Sequence, residues 1–335
     1  MPKEILVKPE AGQEVVVNPV GGLKIAKINR SKSRLQARVV VEGVYVDPEP
    51  PPVEPPPVEP PPVEPPPTGE PAFLSRPTRA PFTVQDATDV ELSNFTIIGG
   101  TIALTLRRVK RAHISLVDVA DCVGGIFVSE CEDIIITDCR GRNIGDNTIG
   151  SGHSNYIQFA ASSGGAIRRN RFLGGHTEDM ISTWHSGGKS ATDKLIIEDN
   201  HIEGRRTDSA DVRAWTRSSG TGIILSDGGG DSRNGNIICR RNTLLTPGQV
   251  CIQIIDGPGL EVYDNIILAE QYALNNNPMT TWEGAPQGYA RNNRYFMTKG
   301  DGSHPDPWKH GGGNMDFSAN IEDSSLKASD LAVVL

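Results

Sequence analysis

The stretch Leu195-Ile-Ile-Glu-Asp-Asn-His-Ile202 decides the fold of this chain, because its pattern recurs further along the sequence. Its general form is apolar-x-apolar-x-x-Asn-x-apolar. The form returns as Ile237-Ile-Cys-Arg-Arg-Asn-Thr-Leu244 and as Leu260-Glu-Val-Tyr-Asp-Asn-Ile-Ile267. A unit that repeats in this way is typical of a solenoid, in which stacked copies bury one continuous core.

Partial copies of the unit extend the repeat in both directions. One contains Asn170, and a degenerate one ends at Asn293. Upstream, the same frame holds other residues at the Asn position, which we place at Gly100, Val119 and Cys139. The apolar pair at spacing two points to one face of a strand, after which the chain bends. We expect the Asn itself to adopt left-handed φ at the bend and to hydrogen-bond from one coil to the next.

A second apolar run follows each unit and supplies a third strand. The runs align on Ile126, Ile157, Ile181, Ile223 and Ile252, and the residue after each isoleucine is expected to point outward. The shorter coils, measured between bend positions, are 19–23 residues long, which is typical of a three-sided turn. No amphipathic stretch of helical length separates the strands, so a βαβ fold is excluded. The sequence therefore predicts an all-β fold, a right-handed three-sided parallel β-helix.

The chain divides into four segments. Residues 1–46 alternate apolar and polar residues in short runs, which predicts a small β-rich docking or assembly unit of four or five strands. Residues 47–71 repeat the unit PPPVE, so we expect an extended polyproline II linker there. The β-helix is assigned to residues 72–316, and residues 317–335 are assigned to a C-terminal tail or cap.

Composition narrows the classes of partner. The formal net charge is −8, with 33 Lys and Arg against 41 Asp and Glu, which disfavours nucleic acid and anionic membranes as general partners. No apolar run is long enough for a signal peptide or a membrane span, so we expect synthesis in the cytoplasm. The five Cys show neither a disulfide framework nor zinc-ligand spacing, and we expect buried thiols.

Three consecutive coils carry long insertions, at residues 142–155, at 174–179 with 184–193, and at 205–220. Long loops on a rigid scaffold are the usual place for binding and catalytic residues, so we predict a site there. The predicted catalytic residues are His153, Glu178, Asp179, His185, Arg213 and Asp227. The predicted substrate-binding residues are Gln158, Trp184, Trp215, Arg217, Gln253 and Asp256.

Carboxylates are the central chemistry of this predicted site. Asp227 and Asp256 follow their isoleucines by the same number of residues, so we expect them to stack on neighbouring coils about 5 Å apart. That separation suits a double-displacement glycosidase, whereas ordinary Asp-Gly turns are the alternative. Glu178 and Asp179 are candidates for a general acid or base, or for binding Ca²⁺, the one cofactor that we consider.

The chain resembles the right-handed parallel β-helix repeat proteins of the pectate-lyase-like superfamily over residues 90–300. The resemblance rests on Glu178-Asp-Met-Ile-Ser, Ser186-Gly-Gly, Gly222-Ile-Ile-Leu-Ser-Asp-Gly-Gly-Gly and Pro247-Gly-Gln. That superfamily includes pectate lyases, polygalacturonases, alginate epimerases and phage tailspike depolymerases. The chain lacks the Asp-Pro-His motif of the epimerases and the Asn-x-Asp plus Asp-Asp set of the polygalacturonases. No family's catalytic residues are therefore carried over.

The order of a small N-terminal unit, a stiff spacer and a β-helix also resembles a phage tail fibre or tailspike. That resemblance implies attachment to a virion or a homotrimer through residues 1–46, and release by cell lysis. Two functions stay open on the sequence. The favoured one is a polysaccharide lyase or glycoside hydrolase acting on a bacterial or algal polysaccharide. The alternative is a non-catalytic glycan-binding or structural adhesin or tail protein.

Overall fold

The computed structural model describes three N-terminal strands by their backbone and then residues 76–145, 154–174, 177–204, 221–245, 250–272, 277–281, 284–299, 301–309 and 312–331, without the side chains of 270–272, 308–309 and 329. The N-terminal strands are β1 (Lys3–Val7), β2 (Lys24–Arg30) and β3 (Ala37–Glu42), which pair antiparallel in the order β2-β3-β1. They account for three of the four or five strands predicted in residues 1–46. The predicted linker, residues 47–71, lies outside the description.

Short strands separated by tight corners make up the rest of the described chain. They are β4 (Thr78–Arg79), β5 (Phe82–Gln85), β6 (Thr88–Ile98), β7 (Ile102–Arg107), β8 (Lys110–Ala120), β9 (Gly124–Ser129), β10 (Glu132–Thr137), β11 (Arg140–Arg142), β12 (Ile157–Ala160), β13 (Ser163–Arg168), β14 (Arg171–Leu173), β15 (Asp179–Trp184) and β16 (Leu195–Glu198). There follow β17 (His201–Glu203), β18 (Thr221–Asp227), β19 (Ile237–Arg240), β20 (Thr243–Leu245), β21 (Val250–Ile254), β22 (Leu260–Tyr263), β23 (Ile266–Tyr272), β24 (Asn277–Thr281), β25 (Gln287–Arg291), β26 (Arg294–Lys299), β27 (Trp308–Lys309), β28 (Asn314–Asp316), β29 (Ile321–Glu322) and a short helix, α1 (Ala328–Leu331).

These strands form three parallel sheets that run along the solenoid. Sheet 1 contains β5, β7, β9, β12, β15, β18, β21, β24 and β27, and β5 also pairs with β1. Sheet 2 contains the first halves of β6 and β8, then β10, β13, β16, β19, β22, β25 and β28. Sheet 3 contains β4, the second halves of β6 and β8, then β11, β14, β17, β20, β23, β26 and β29. One strand per sheet in each coil makes a three-sided parallel β-helix, so the predicted fold is confirmed.

The first coils have a different register from the predicted one. Phe95 of β6 pairs with Val117 of β8, and Arg140, the residue after Cys139, pairs with Asp118. The corner positions are therefore Phe95, Val117 and Cys139, one every 22 residues. The predicted positions Gly100 and Val119 were wrong. Apolar residues at spacing two occur on both sides of the corner, and the strand after the corner was taken for the strand before it.

Buried asparagines stack at the corner between sheets 2 and 3. Asn170 Oδ1 accepts the N–H of Cys139 at 3.0 Å. In the later members, the side-chain oxygen accepts both the backbone N–H and the side-chain amide of the asparagine one coil earlier, at 2.8–3.1 Å. The ladder consists of Asn170, Asn200, Asn242, Asn265, Asn293 and Asn320. The predicted ladder is thus present. Its last member lies in the segment assigned to the tail, where β29 pairs with β26 as part of one further coil.

The left-handed residue of this corner precedes the asparagine. Arg169, Asp199 and Arg241 have φ of 52°, 58° and 52° and lie directly before ladder residues. Their side chains form exposed ion pairs, whereas the asparagine side chains are buried. The prediction that the asparagine itself adopts left-handed φ was therefore wrong. The asparagine must point inward to reach the next coil, so its neighbour makes the bend.

One continuous hydrophobic core fills the interior from the first coil to the last. The aligned isoleucines of sheet 1 pair in register as predicted, Ile126 with Ile157, then Ile181, Ile223 and Ile252. All five are buried in that core. Because interiors are close-packed, this column fixes which residues of sheet 1 face outward.

The outward side chains of sheet 1 are less exposed than those of sheet 2. Gln158, Ser182 and Ile224 pair in register between the core isoleucines and point away from the core. All three are nevertheless buried, whereas Ile135, an outward residue of sheet 2, is 40% exposed. The two sheets therefore differ in how far the outward side chains of these coils are exposed to water.

Candidate functional site

Asp179 is the most unusual carboxyl group in the described part of the chain. It begins β15, is only 8% exposed, and its N–H donates to Asn155 Oδ1 at 2.8 Å. Burial raises its pKa to about 8, and the charge of the adjacent Glu178 adds to that effect. A hydrogen bond with Thr221 offsets part of the shift, and Asp227 adds a smaller Coulombic contribution. Asp179 therefore holds a proton at neutral pH and can donate it.

The partners of Asp179 place it on the outer side of sheet 1. Thr221 pairs with Asp179 across the β15–β18 ladder and also donates from its hydroxyl to Gln253 Oε1 at 3.0 Å. Gln253 alternates with the core residues Ile252 and Ile254, so it faces outward as predicted. Because Thr221 contacts both Asp179 and Gln253, it links Asp179 to the outer surface of sheet 1.

Two buried oxygens on or beside these strands have no hydrogen-bond partner among the described residues. They are Gln158 Oε1, on β12 beside β15, and Thr177 Oγ1, two residues before Asp179. Leaving such an atom buried and unpaired costs about 1–3 kcal/mol, which folded proteins usually avoid.

Asp227 and Asp256 have separate environments. Asp227 Oδ1 accepts the N–H of Gly228 at 2.8 Å. Asp256 accepts N–H groups of Gly230 and Ala285 at 2.7 and 3.0 Å, and the amide of Asn234 at 3.2 Å. Burial alone would raise the pKa of Asp256, but these hydrogen bonds outweigh it and lower the pKa. No described contact joins the two carboxylates, and Asp256 holds the glycine-rich turn against the following coil.

Trp184 and His185 lie where β15 ends. Trp184 is 42% exposed, which is rare for an indole, and its ring meets the His185 imidazole edge-on with centroids 4.2 Å apart. His185 is the left-handed corner residue, with φ of 48°, and its N–H donates to Asp227 O at 2.7 Å. Between Ser182 and Trp184 the ladder shifts by one residue, so Trp184 rather than His185 pairs with Asp227.

Asp231 and Arg233 support that corner and were not found from the sequence. Asp231 Oδ2 lies 3.3 Å from His185 Nδ1 without the alignment of a hydrogen bond, and Nδ1 is otherwise unpaired. Arg233 binds Asp231 through both forks, at 2.6 and 3.0 Å, and reaches back to Ala161 O at 3.3 Å. The Arg233 hydrogen bonds hold the pKa of Asp231 far below its usual range. The sequence signal is the Asp-x-Arg spacing directly after the Gly-Gly-Gly run.

Several predicted site residues lie outside the described residues: His153, Arg213, Trp215 and Arg217. Of the predicted residues within the description, Glu178, Asp179, Gln158 and Gln253 lie on β12, β15 and β21 or beside them. Trp184, His185 and Asp227 lie together at the opposite end of β15 and β18. The predicted site residues therefore form two separate groups on sheet 1.

The five cysteines are buried free thiols, as expected. Burial raises the pKa of Cys122 and Cys131 to about 11 and that of Cys139 and Cys239 to about 12, so these groups are not nucleophiles at neutral pH. Among the described residues, no three His, Cys, Asp or Glu side chains are grouped to hold a metal ion. Nor do the described residues include a helix with the length and apolarity to cross a bilayer.

Comparisons with known proteins find similarity in structure but not in sequence. No protein-family model matches the chain, and no curated protein matches it by sequence. Its fold is similar to the crystal structure of PfbA, a surface adhesin of Streptococcus pneumoniae, with a TM-score of 0.32 and 10% identity. The match covers 68% of this chain and 71% of that one. Proteins so distantly alike need share neither ligand nor activity, so function rests on the site itself.

Proposed function

We propose that the chain is a glycoside hydrolase that binds a polysaccharide on the outer surface of sheet 1 and uses Asp179 as general acid. The observation that carries this proposal is a buried carboxyl group, protonated at neutral pH, on the sheet surface of the loop-bearing coils. A carboxylic acid with a raised pKa is the group that protonates the leaving oxygen of a glycosidic bond.

The second carboxylate of the proposed reaction is Glu178. It is exposed and adjacent to Asp179, and its charge helps to keep Asp179 protonated. Asp227 does not take this role, because it lies with Trp184 at the opposite end of β15 and β18. In the proposed step Asp179 gives its proton to the glycosidic oxygen as the bond to the anomeric carbon breaks. Glu178 takes a proton from the water molecule that adds to that carbon, so the two carboxyl groups exchange protonation states and no cofactor is consumed.

Hydrolysis is favoured over β-elimination by the residues of this surface. A lyase needs a base to remove the proton next to a uronate carboxylate, and a cation to neutralise that carboxylate. The outward residues that pair in register along the middle of β9, β12, β15, β18 and β21 are Phe127, Gln158, Ser182, Ile224 and Gln253. None of these described side chains is basic or cationic.

The test is incubation of the full chain with a panel of neutral and acidic polysaccharides. Reducing ends report hydrolysis, and absorbance of unsaturated products reports elimination. We expect reducing ends without unsaturated products, and a loss of about 10²–10⁴-fold in rate for Asp179→Asn. The rate should also fall as pH rises through about 8, where Asp179 loses its proton.

The matched control is Asp86→Asn, which removes a carboxylate that pairs with Arg108 on a coil without insertions. Its rate should equal that of the wild type. Absence of product from every polysaccharide would contradict the enzymatic proposal, and unsaturated products would replace hydrolysis by elimination.

A second candidate is a non-catalytic glycan-binding protein, favoured by the exposed indole of Trp184. Apolar ring faces of sugars stack on such indoles without any bond cleavage. In that case glycans would bind the wild type and Asp179→Asn equally, and neither would release reducing ends. The phage tailspike layout implied by the sequence resemblance is compatible with either function. Light scattering on the full chain and on residues 72–335 tests its predicted assembly through residues 1–46.

A further inference from the structure

The backbone of Trp184 is fixed by hydrogen bonds, and its exposed indole contacts His185. The backbone oxygen of Trp184 accepts the N–H of Ala161 at 3.0 Å and the hydroxyl of Ser186 at 2.8 Å. The His185 ring contacts the indole edge-on. Tryptophan rings, which combine a large apolar face with a polar N–H, are enriched at binding surfaces.

The His185 ring is confined by Gly228 and Asp231, and Arg233 fixes Asp231. Its ring lies against Gly228, where a Cβ would approach His185 Cε1 to 2.5 Å, so no larger residue fits without moving the ring. On the other side Asp231 lies 3.3 Å from Nδ1. Arg233 then ties Asp231 to the backbone of the preceding corner at Ala161. This chain of contacts runs from a corner of the scaffold to the indole.

We propose that Trp184 is the stacking platform of a second sugar subsite, and that His185 is its positioning residue. Asp231 and Arg233 fix His185 in turn. The inference rests on the proposed function, because the ligand is a pyranose ring of the same polysaccharide.

The location of the platform sets the length of the bound glycan. Asp179 and Trp184 are the first and last residues of β15. A strand of that length spans about 15 Å, which corresponds to several sugar rings. A glycan that reaches both residues therefore lies along β15, across the axis of the solenoid, and a disaccharide cannot reach both.

The first experiment measures affinity of the full chain for cello-, malto-, xylo- and galacturono-oligosaccharides from dimer to heptamer. For the series that binds, affinity should rise with length until the ligand spans both residues. Trp184→Ala should remove that rise and weaken the longest ligand about tenfold, whereas Trp184→Phe should keep most of the affinity because a ring remains. The matched control is Ile135→Ala, an exposed apolar residue of sheet 2, which should bind as the wild type does.

The second experiment tests the role of His185. Asn is tolerated in the left-handed region, so His185→Asn keeps the corner and removes only the ring. We expect the fluorescence of Trp184, measured as the difference from Trp184→Phe, to shift. We also expect the affinity for the longest oligosaccharide to fall several-fold. Asp231→Asn should act in the same direction. Asp86→Asn, which breaks a similar Asp–Arg pair elsewhere, should change neither quantity.

The outcomes separate the two proposals. Equal affinity of Trp184→Ala and the wild type at every length, with Asp179-dependent cleavage intact, overturns the second subsite and leaves the hydrolase. Unchanged fluorescence and affinity in His185→Asn overturn the positioning role. Binding of no oligosaccharide and cleavage of no polysaccharide by the wild type contradict the proposed function itself, and the subsite with it.

Discussion

The coils from Phe82 to Cys139 and the coils from Cys139 to Asn242 share one backbone but differ in their outer side chains. In the first group, exposed ion pairs such as Asp86–Arg108 and Asp89–Arg111 connect the corners, each at 2.6 Å. In the second group, the same side of sheet 1 carries buried neutral side chains and a protonated Asp179. The scaffold thus separates two tasks, because the corners set the backbone while the outward positions are free to carry chemistry.

One corner shows this separation directly. Arg108 and His185 occupy equivalent left-handed positions at the end of a sheet 1 strand, with φ of 49° and 48°. The N–H of each donates to a backbone oxygen of the next coil, that of Ser129 or Asp227. Arg108 forms an ion pair on the surface, whereas His185 supports an exposed indole. The same backbone position therefore serves stability in one coil and the candidate site in another.

The largest effect on stability is expected from the asparagine ladder, which the first coils lack. Asn200→Ala removes the acceptor of Asn170 N–H and Nδ2, and the donor to Asn242 Oδ1 and Ile167 O. Four buried hydrogen bonds are lost, so we expect a loss of about 4–6 kcal/mol in the free energy of unfolding. Val117→Ala, at the equivalent corner of a first coil, should cost only about 1–3 kcal/mol. Urea unfolding of both variants measures the difference, and equal losses would mean that the ladder adds nothing to packing.

The second effect concerns Asp179 and has a defined pH window. The unfolded carboxyl has a pKa of about 4, and burial raises the pKa in the folded chain to about 8. Between those values the folded state binds a proton that the unfolded state does not, so stability falls as pH rises from about 4 to about 8. Asp179→Asn removes this loss, and we expect it to be more stable than the wild type by up to about 5 kcal/mol at pH 8 and equal to it near pH 4. Unfolding midpoints at both pH values check the difference. If Asp179→Asn is no more stable than the wild type at pH 8, the pKa of Asp179 is not raised in the folded chain.

The third effect tests whether Asp256 is structural. Its carboxylate accepts three hydrogen bonds, from Gly230, Asn234 and Ala285. We expect Asp256→Ala to lower the free energy of unfolding by about 2 kcal/mol, while the rate of polysaccharide cleavage by the folded variant changes little. A large loss of rate with unchanged stability would instead return Asp256 to the catalytic group.

The smallest effect is expected at the ion pairs of the first coils. Asp86→Asn should change the free energy of unfolding by less than about 1 kcal/mol, because the pair with Arg108 is exposed and screened by salt. Asp231→Asn breaks a pair that is less exposed and carries the His185 contact, so it should cost more. Thermal unfolding at low and high salt compares the two, and a larger loss for Asp86→Asn would reverse the contrast between the two groups of coils.

The fold was predictable because few positions determine it. The apolar pairs and the stacked isoleucines recur with the period of the coil, and their burial is what closes the solenoid. The exact corner was harder to predict, since Phe95 and Ile97 after a corner have the same spacing as the apolar pair before one. Left-handed φ was assigned to the asparagine because Asn tolerates it best, yet hydrogen bonding to the next coil required Asn200 to point inward.

The site was predictable only in part. Asp179 was found because two acidic residues begin a strand, but its raised pKa depends on burial, which no local pattern encodes. Stacking of Asp227 on Asp256 was inferred from equal spacing alone. Their hydrogen bonds to Gly228 and Ala285 arise from turns that spacing does not reveal. Asp231 and Arg233 were missed because they act on His185, which lies on a neighbouring coil, and that contact cannot be read from the sequence.

The left-handed corners have a consequence for how this protein changes over evolution. Asp138, Arg169, Leu116 and Ala319 all serve at equivalent corners with φ between 52° and 60°, although Leu and Ala pay about 1 kcal/mol or more for that conformation. The stack therefore imposes the bend on whichever residue is present, and the corner needs no particular residue type. In each coil, then, the fold constrains little more than the inward apolar positions. Sequences that share an ancestor therefore keep few residues in common. Descendants of such a chain are expected to keep their shape long after their sequences have ceased to be alignable.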